Sequence, residues 1–304
     1  VNPGLTPLRF QGFIFVGLAL LTVLITLCLA PITPSNTLFF ASLMIIFLGV
    51  PHGSLDPIFA ATEQKIKSKT EWVIFSLAYL LLSAVVIGFW KISPLLFLLG
   101  FLGLSIFHFS GDLTGKATFA ERFFYAGSVC VLPALVHHAE LLRIFSILAG
   151  HQNSILIVKL LELTAWPWLV CLLLVATRCF QNNRLRALEI LSVALLMLTA
   201  EPLLGFTVYF CAMHSARHII RTHQHTLVSP KKMLQIAVGP MLAVLGLGVV
   251  IWNFRPEVAF EESLLQIIFV GLAALTVPHM LLVERVRLSG WQENHKAETV
   301  KSLP

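Results

Sequence analysis

Apolar residues arrive along this chain in long runs, without the strict alternation of a strand or the narrow stripe of a surface helix. Crossing a hydrocarbon core of roughly 30 Å takes about 17–25 helical residues. Ten runs reach or approach that length, at roughly 10–30, 37–57, 72–90, 94–112, 121–137, 155–177, 186–201, 203–221, 233–252 and 264–284. The seventh and eighth are short and meet at "EPLLG". One such run alone fits the buried helix of a soluble domain. Ten in succession predict an all-α, polytopic transmembrane helical bundle of about ten spans. The expected organisation is one integral-membrane helical domain over 1–284 and a polar cytoplasmic tail over 285–304. Phe10–Ala30 is long enough to span and remain, so no cleavable leader is expected.

Composition strengthens this picture. Of 304 residues, 57% are hydrophobic and 12% charged, too few charges to coat a soluble surface. The net charge of +6 has a membrane explanation. With the N-terminus inside, Lys and Arg, including Arg122, Arg186 and Arg217, fall on cytoplasmic positions. The exceptions are Lys91, Arg143 and Arg255 outside and Lys159 near a helix end. That asymmetry predicts a multi-pass cell-membrane protein with both termini cytoplasmic, and it accounts for the charge without nucleic acid. Cys28, Cys130, Cys171, Cys179 and Cys211 show no CxxC spacing and are expected as free core thiols.

The histidines change the picture from membrane protein to membrane site. His137, His138 and His151 fall in an expected outer loop, and His223, His225 and His295 in cytoplasmic segments, where surface roles suffice. Five others sit inside the apolar runs: His52 in the second, His108 in the fourth, His214 and His218 in the eighth, His279 in the tenth. All four runs are expected to cross from outside to inside. Each of these histidines lies about 11–15 residues from the outer end, roughly 17–23 Å down at the helical rise. Polar groups at membrane depth are costly and mark function. His214 and His218, four apart in "CAMHSARH", share a helix face, which suits two ligands of one metal. The competing reading is a set of separate buried histidines, each bonded to a carbonyl.

In "GVPHGSLDP", Pro51 is expected to kink the helix and free a carbonyl, and Gly53 to allow close packing. Asp56 follows His52 by four residues, and Asp112 follows His108 by four, which places each carboxylate either to support the histidine before it or to reach toward cytoplasmic water. "VPHM" repeats the Pro-His pair at His279, which is expected as an outer-shell group or pocket wall.

A di-iron desaturase or hydroxylase would want more HxxxH or HxxHH clusters than this chain has. A b-type cytochrome would want trans axial histidines on facing helices. A metal transporter would want ligands at several depths.

"GVPHGSLDP", "SIFHFSGD", "YFCAMHSARH" and "LTVPHMLLVE" together resemble the Brp/Blh family of membrane-bound β-carotene 15,15′-dioxygenases, over about residues 40–285. The resemblance implies Fe(II) held by His52, His108, His214 and His218, with O2 as co-substrate. It implies central cleavage of β-carotene, arriving from the lipid, to two all-trans-retinal, the chromophore supplied to a rhodopsin. Phe107, Phe109, Phe206, Tyr209 and Phe210 flank the metal motifs and are expected, with Asp56, Asp112 and His279, around the metal or along the substrate pocket. The family often carries a bulkier residue or a second histidine where this chain has Ser215 and Ala216. That difference leaves the ligand set intact and bears on pocket shape.

Overall fold

The computed structural model describes residues 6–29 and 33–288. Among the described residues the chain is helical, with no strand. The α-helices are α1 (Pro7–Cys28), α2 (Pro34–Met44), α3 (Asp56–Thr62), α4 (Lys69–Ile92), α5 (Pro94–Phe109), α6 (Phe119–Val131), α7 (His138–Ala149), α8 (His151–Asn182), α9 (Arg184–Thr199), α10 (Pro202–Val208), α11 (Ala216–Thr226), α12 (Pro230–Asn253) and α13 (Phe260–Leu288). Two π-helical segments, Ile45–Gly49 and Tyr209–Ser215, and a 3-10 turn, Val50–Leu55, interrupt the α-geometry beside the histidine motifs.

Every predicted run falls on helix, yet not every helix is a span by its own length and composition. Six are long and apolar enough among the described residues: α1, the stretch Pro34–Thr62, α4, α8, α12 and Phe260–Glu284 of α13. A seventh is added if Phe119–Leu135 and His138–Ala149, bent by 109°, count as one crossing. Helix α5 has 16 residues and so runs roughly 24 Å, short of the hydrocarbon core. Helix α9 is equally short, and the segment 202–226 is broken by its π-helical turn. The outer loop expected around His137 and His138 is instead largely α7, whose Leu141, Ile144, Phe145 and Leu148 are buried. Residues 285–288 of the expected tail continue α13, and the rest of it, with His295, lies outside the described residues.

The chain resolves into two compact units, one of residues 1–45 and 94–217, the other of 46–93 and 218–304. In the first, α1 packs on α9, an approach that depends on Gly12. A Cβ there would sit 2.3 Å from Glu189 Oε1 and 3.2 Å from Arg217 Nη2. Gly127 plays the same part on α6: a Cβ would sit 1.9 Å from Trp168 Cζ2, and the Trp168 indole donates to the Phe124 carbonyl at 2.9 Å.

The loop from α5 to α6 is held by three arginines. Arg122 donates to the carbonyls of Ser110, Leu113, Gly115 and Ala117. Arg186 donates to Thr114 O at 2.9 Å and pairs with Glu121, itself part of the Thr118 capping box of α6. Arg217 donates to Asp112 O at 2.8 Å. The positive-inside pattern treats these three as water-facing charge. In the structure Arg217 is 0% exposed and Arg186 is buried, so burial and pairing remove both from that argument. The thiols are free as expected, but Cys28 is exposed and not in a core.

In the second unit, α4 starts at a Ser68–Glu71 capping box and packs along α13. Phe59, Leu282, Val283 and Val286 form one buried cluster, with Phe75 and Tyr79 against it. Leu55, Ile58, Val228, Met233 and Ala237 form another. Between them these clusters anchor the 3-10 turn, α3 and α13, the elements that carry His52, Asp56 and His279.

Candidate functional site

In the first unit, His108 at the end of α5 and His214 in the second π-helical segment meet with ring centroids 4.7 Å apart, inclined by 67°. Both are buried. Asp112 accepts from His214 Nδ1, at 3.0 Å to Oδ1 and 3.1 Å to Oδ2, and Tyr209 donates its hydroxyl to Oδ2 at 2.6 Å. A carboxylate on Nδ1 fixes the tautomer, turns the Nε2 lone pair outward as the ligating atom and raises its basicity. Phe109 lies edge-on to His214, and Phe210 stacks on it at 5.6 Å and 16°. Phe206 stacks in turn on Phe210 at 5.3 Å and 13°. Phe107 is 48% exposed.

Gln11 of α1 donates its amide to Ala212 O at 2.7 Å, within the π-helical segment that carries His214. An inserted side chain is a recognised source of helix irregularity, and π-turns recur at functional sites. Gln11 is held by Arg217, which donates from Nε to Gln11 Oε1 at 2.7 Å.

In the second unit, His52, His218 and His279 gather, with centroids 5.5 Å (52 to 218), 5.3 Å (52 to 279) and 5.1 Å (218 to 279) apart. His52 donates from Nδ1 to Gly49 O at 2.6 Å. Pro51, which has no N–H, sits where the π-helical segment gives way to the 3-10 turn, and the Gly49 carbonyl serves the imidazole. Asp56 accepts from His279 Nδ1 at 2.7 Å and from the Tyr79 hydroxyl at 2.8 Å.

Asp56 is hydrogen-bonded to His279 and Asp112 to His214, pairings that the spacing of four does not point to. The i,i+4 rule needs continuous α-helix. Asp56 follows a 3-10 turn, and Asp112 lies beyond Phe109, where α5 ends. Gly53 is not a packing glycine: a Cβ there would meet nothing within 4 Å. His225, expected at a surface, is buried, stacks on Phe59 and bonds Glu63 at 3.2 Å.

Sequence reasoning overlooked Tyr79, Gln11 and Glu189. Glu189 carried a usable signal, a carboxylate inside the apolar run 186–201. Tyr79 carried a weaker one, a hydroxyl in the middle of α4.

The chemistry of the donor set, buried imidazoles with Nδ1 engaged and carboxylates behind two of them, suits a divalent transition metal. The sequence profile of the family described as beta-carotene 15,15'-dioxygenase matches residues 43–286, which include every histidine named above at the two clusters. The chain belongs to this family. A beta-carotene 15,15'-dioxygenase of an uncultured marine bacterium, 66A03, is 32% identical over 256 residues, covering 79% of this chain and 90% of that protein. No solved structure matches it significantly. The dioxygenase family match begins inside α2, so Gln11 and Gly12, which shape the His214 turn and the α1 approach, lie outside the matched region.

Proposed function

We propose that this chain uses O2 to cleave the central 15,15′ double bond of β-carotene, producing two all-trans-retinal, at an Fe(II) held by His52, His108, His214 and His218. The observation that carries the reading is the Tyr209–Asp112–His214 relay beside His108, the outer-shell arrangement that metal-bound imidazoles require, in a chain of the dioxygenase family. His214 and His218 are four residues apart, His214 near the end of the π-helical segment and His218 in the first turn of α11.

Bound Fe(II) supplies the means of activating O2, with four neutral imidazoles leaving positions open. The protein does the rest. Asp112 keeps His214 aimed, and Tyr209 keeps Asp112 aimed. Phe109, Phe206 and Phe210 give the His214 side an apolar, water-excluding wall that suits a hydrocarbon. In a dioxygenase reaction the broken double bond takes one oxygen atom of O2 into each aldehyde, so no further reductant is needed. The substrate is insoluble in water and reaches the site from the lipid, and the retinal passes on to a rhodopsin. The chain lies in the cell membrane, with about ten crossings and both termini cytoplasmic.

The test is expression in a bacterium that makes β-carotene. Cells should lose their orange colour and accumulate all-trans-retinal. His52→Ala, His108→Ala, His214→Ala and His218→Ala should each lower bound iron and stop bleaching, while His137→Ala does neither. Orange cells containing folded, iron-loaded protein would overturn the carotene assignment.

A further inference from the structure

The second unit holds three buried imidazoles at nearly equal spacing, and one of them, His279, has no role in the four-ligand reading. Its surroundings resemble those of a ligand. Asp56 Oδ1 accepts from its Nδ1 at 2.7 Å and Asp56 Oδ2 accepts from the Tyr79 hydroxyl at 2.8 Å. The same three residue types are joined in the same order at Tyr209, Asp112 and His214 in the first unit. Two Tyr–Asp–His relays, built from unrelated stretches of one chain, hold two histidines in the same tautomer. A ring nitrogen of His279 lies within 4.8 Å of one of His52, which is itself anchored through Nδ1.

The alternative role, a wall of the substrate pocket, does not account for the relay. A hydrocarbon offers His279 no hydrogen bond and gains nothing from a carboxylate behind it. Burying Asp56 is costly unless its oxygens are satisfied, and an apolar residue would pack there at lower cost. A ligating imidazole does gain from the carboxylate, in orientation and in basicity.

We infer that His279 is a fifth metal ligand, on the same footing as His214. The inference rests on the iron reading above. Tyr79 and Asp56 are then positioning residues of His279, as Tyr209 and Asp112 are of His214.

A cysteine in place of a ligand reports directly, because a thiolate bound to Co(II) gives an intense near-ultraviolet charge-transfer band. The full chain, purified in detergent and loaded with Co(II), is compared as wild type, His279→Cys, His214→Cys and His223→Cys. The new band is expected for His279→Cys and His214→Cys and absent for His223→Cys. A band for His214→Cys alone overturns the fifth ligand and leaves the iron site standing. A band for neither overturns the iron reading itself. Iron per chain in His279→Ala is the second measurement, which does not depend on the cysteine variant. It should fall as far as in His214→Ala, and full iron retention in folded protein overturns the inference.

Discussion

Arg217 grips Glu189 with both terminal nitrogens, Nη2 to Oε1 at 2.7 Å and Nη1 to Oε2 at 3.3 Å, and neither side chain reaches solvent. The same guanidinium reaches Gln11 and the Asp112 carbonyl. Arg217 therefore links α1, α9, the Asp112 loop and the turn that carries His214.

Removing one partner of a buried pair strands the other. Arg217→Met should destabilise the protein by about 3–5 kcal/mol, because Glu189 is left uncompensated. The double change Arg217→Met with Glu189→Leu should be milder than Arg217→Met alone. Thermal unfolding of both single variants and the double in detergent checks this, and losses that simply add would show that the pair is not coupled.

Gly12 and Gly53 should behave oppositely. A methyl at Gly12 meets Glu189 Oε1 at 2.3 Å, so Gly12→Ala should destabilise by about 1–3 kcal/mol through overpacking. Gly53→Ala has open space and should leave the melting temperature nearly unchanged. Equal effects at the two positions would contradict the α1–α9 approach seen here.

Asp112→Asn keeps the shape of the relay but removes its charge, and should slow carotene bleaching roughly 10–100-fold, with weaker iron retention. Tyr209→Phe removes one hydrogen bond to the carboxylate and should be the gentler change, about 0.5–1.5 kcal/mol in stability. Retinal formation rates and iron per chain in the two variants give the order. Tyr209→Phe proving more damaging than Asp112→Asn would place the hydroxyl, not the carboxylate, at the centre of the site.

A reporter fused after Pro304 should be active only as a cytoplasmic reporter. The expectation follows from the distribution of Lys and Arg, even with Arg186 and Arg217 set aside as buried pairs. Periplasmic activity would mean an odd number of crossings, as in a count of seven.

The helical class, the apolar runs and the buried histidines were legible in the sequence by itself. Helix rise is set by backbone hydrogen bonding and run length by the bilayer, so position along the chain converts to depth without knowledge of neighbours. The structure buries all five histidines that the apolar runs carry. Partner choice was decided only by tertiary structure. Asp56 and His279 are 223 residues apart, and Asp112 and His214 are 102 apart. No local periodicity relates such residues. The i,i+4 rule does not reach these pairings, and a 3-10 turn and a helix end stand where it assumes continuous α-helix. Tertiary packing also decided what the arginines do. A basic residue near a helix end reads the same in sequence whether it faces water or, like Arg217, closes a buried pair with a glutamate on another helix.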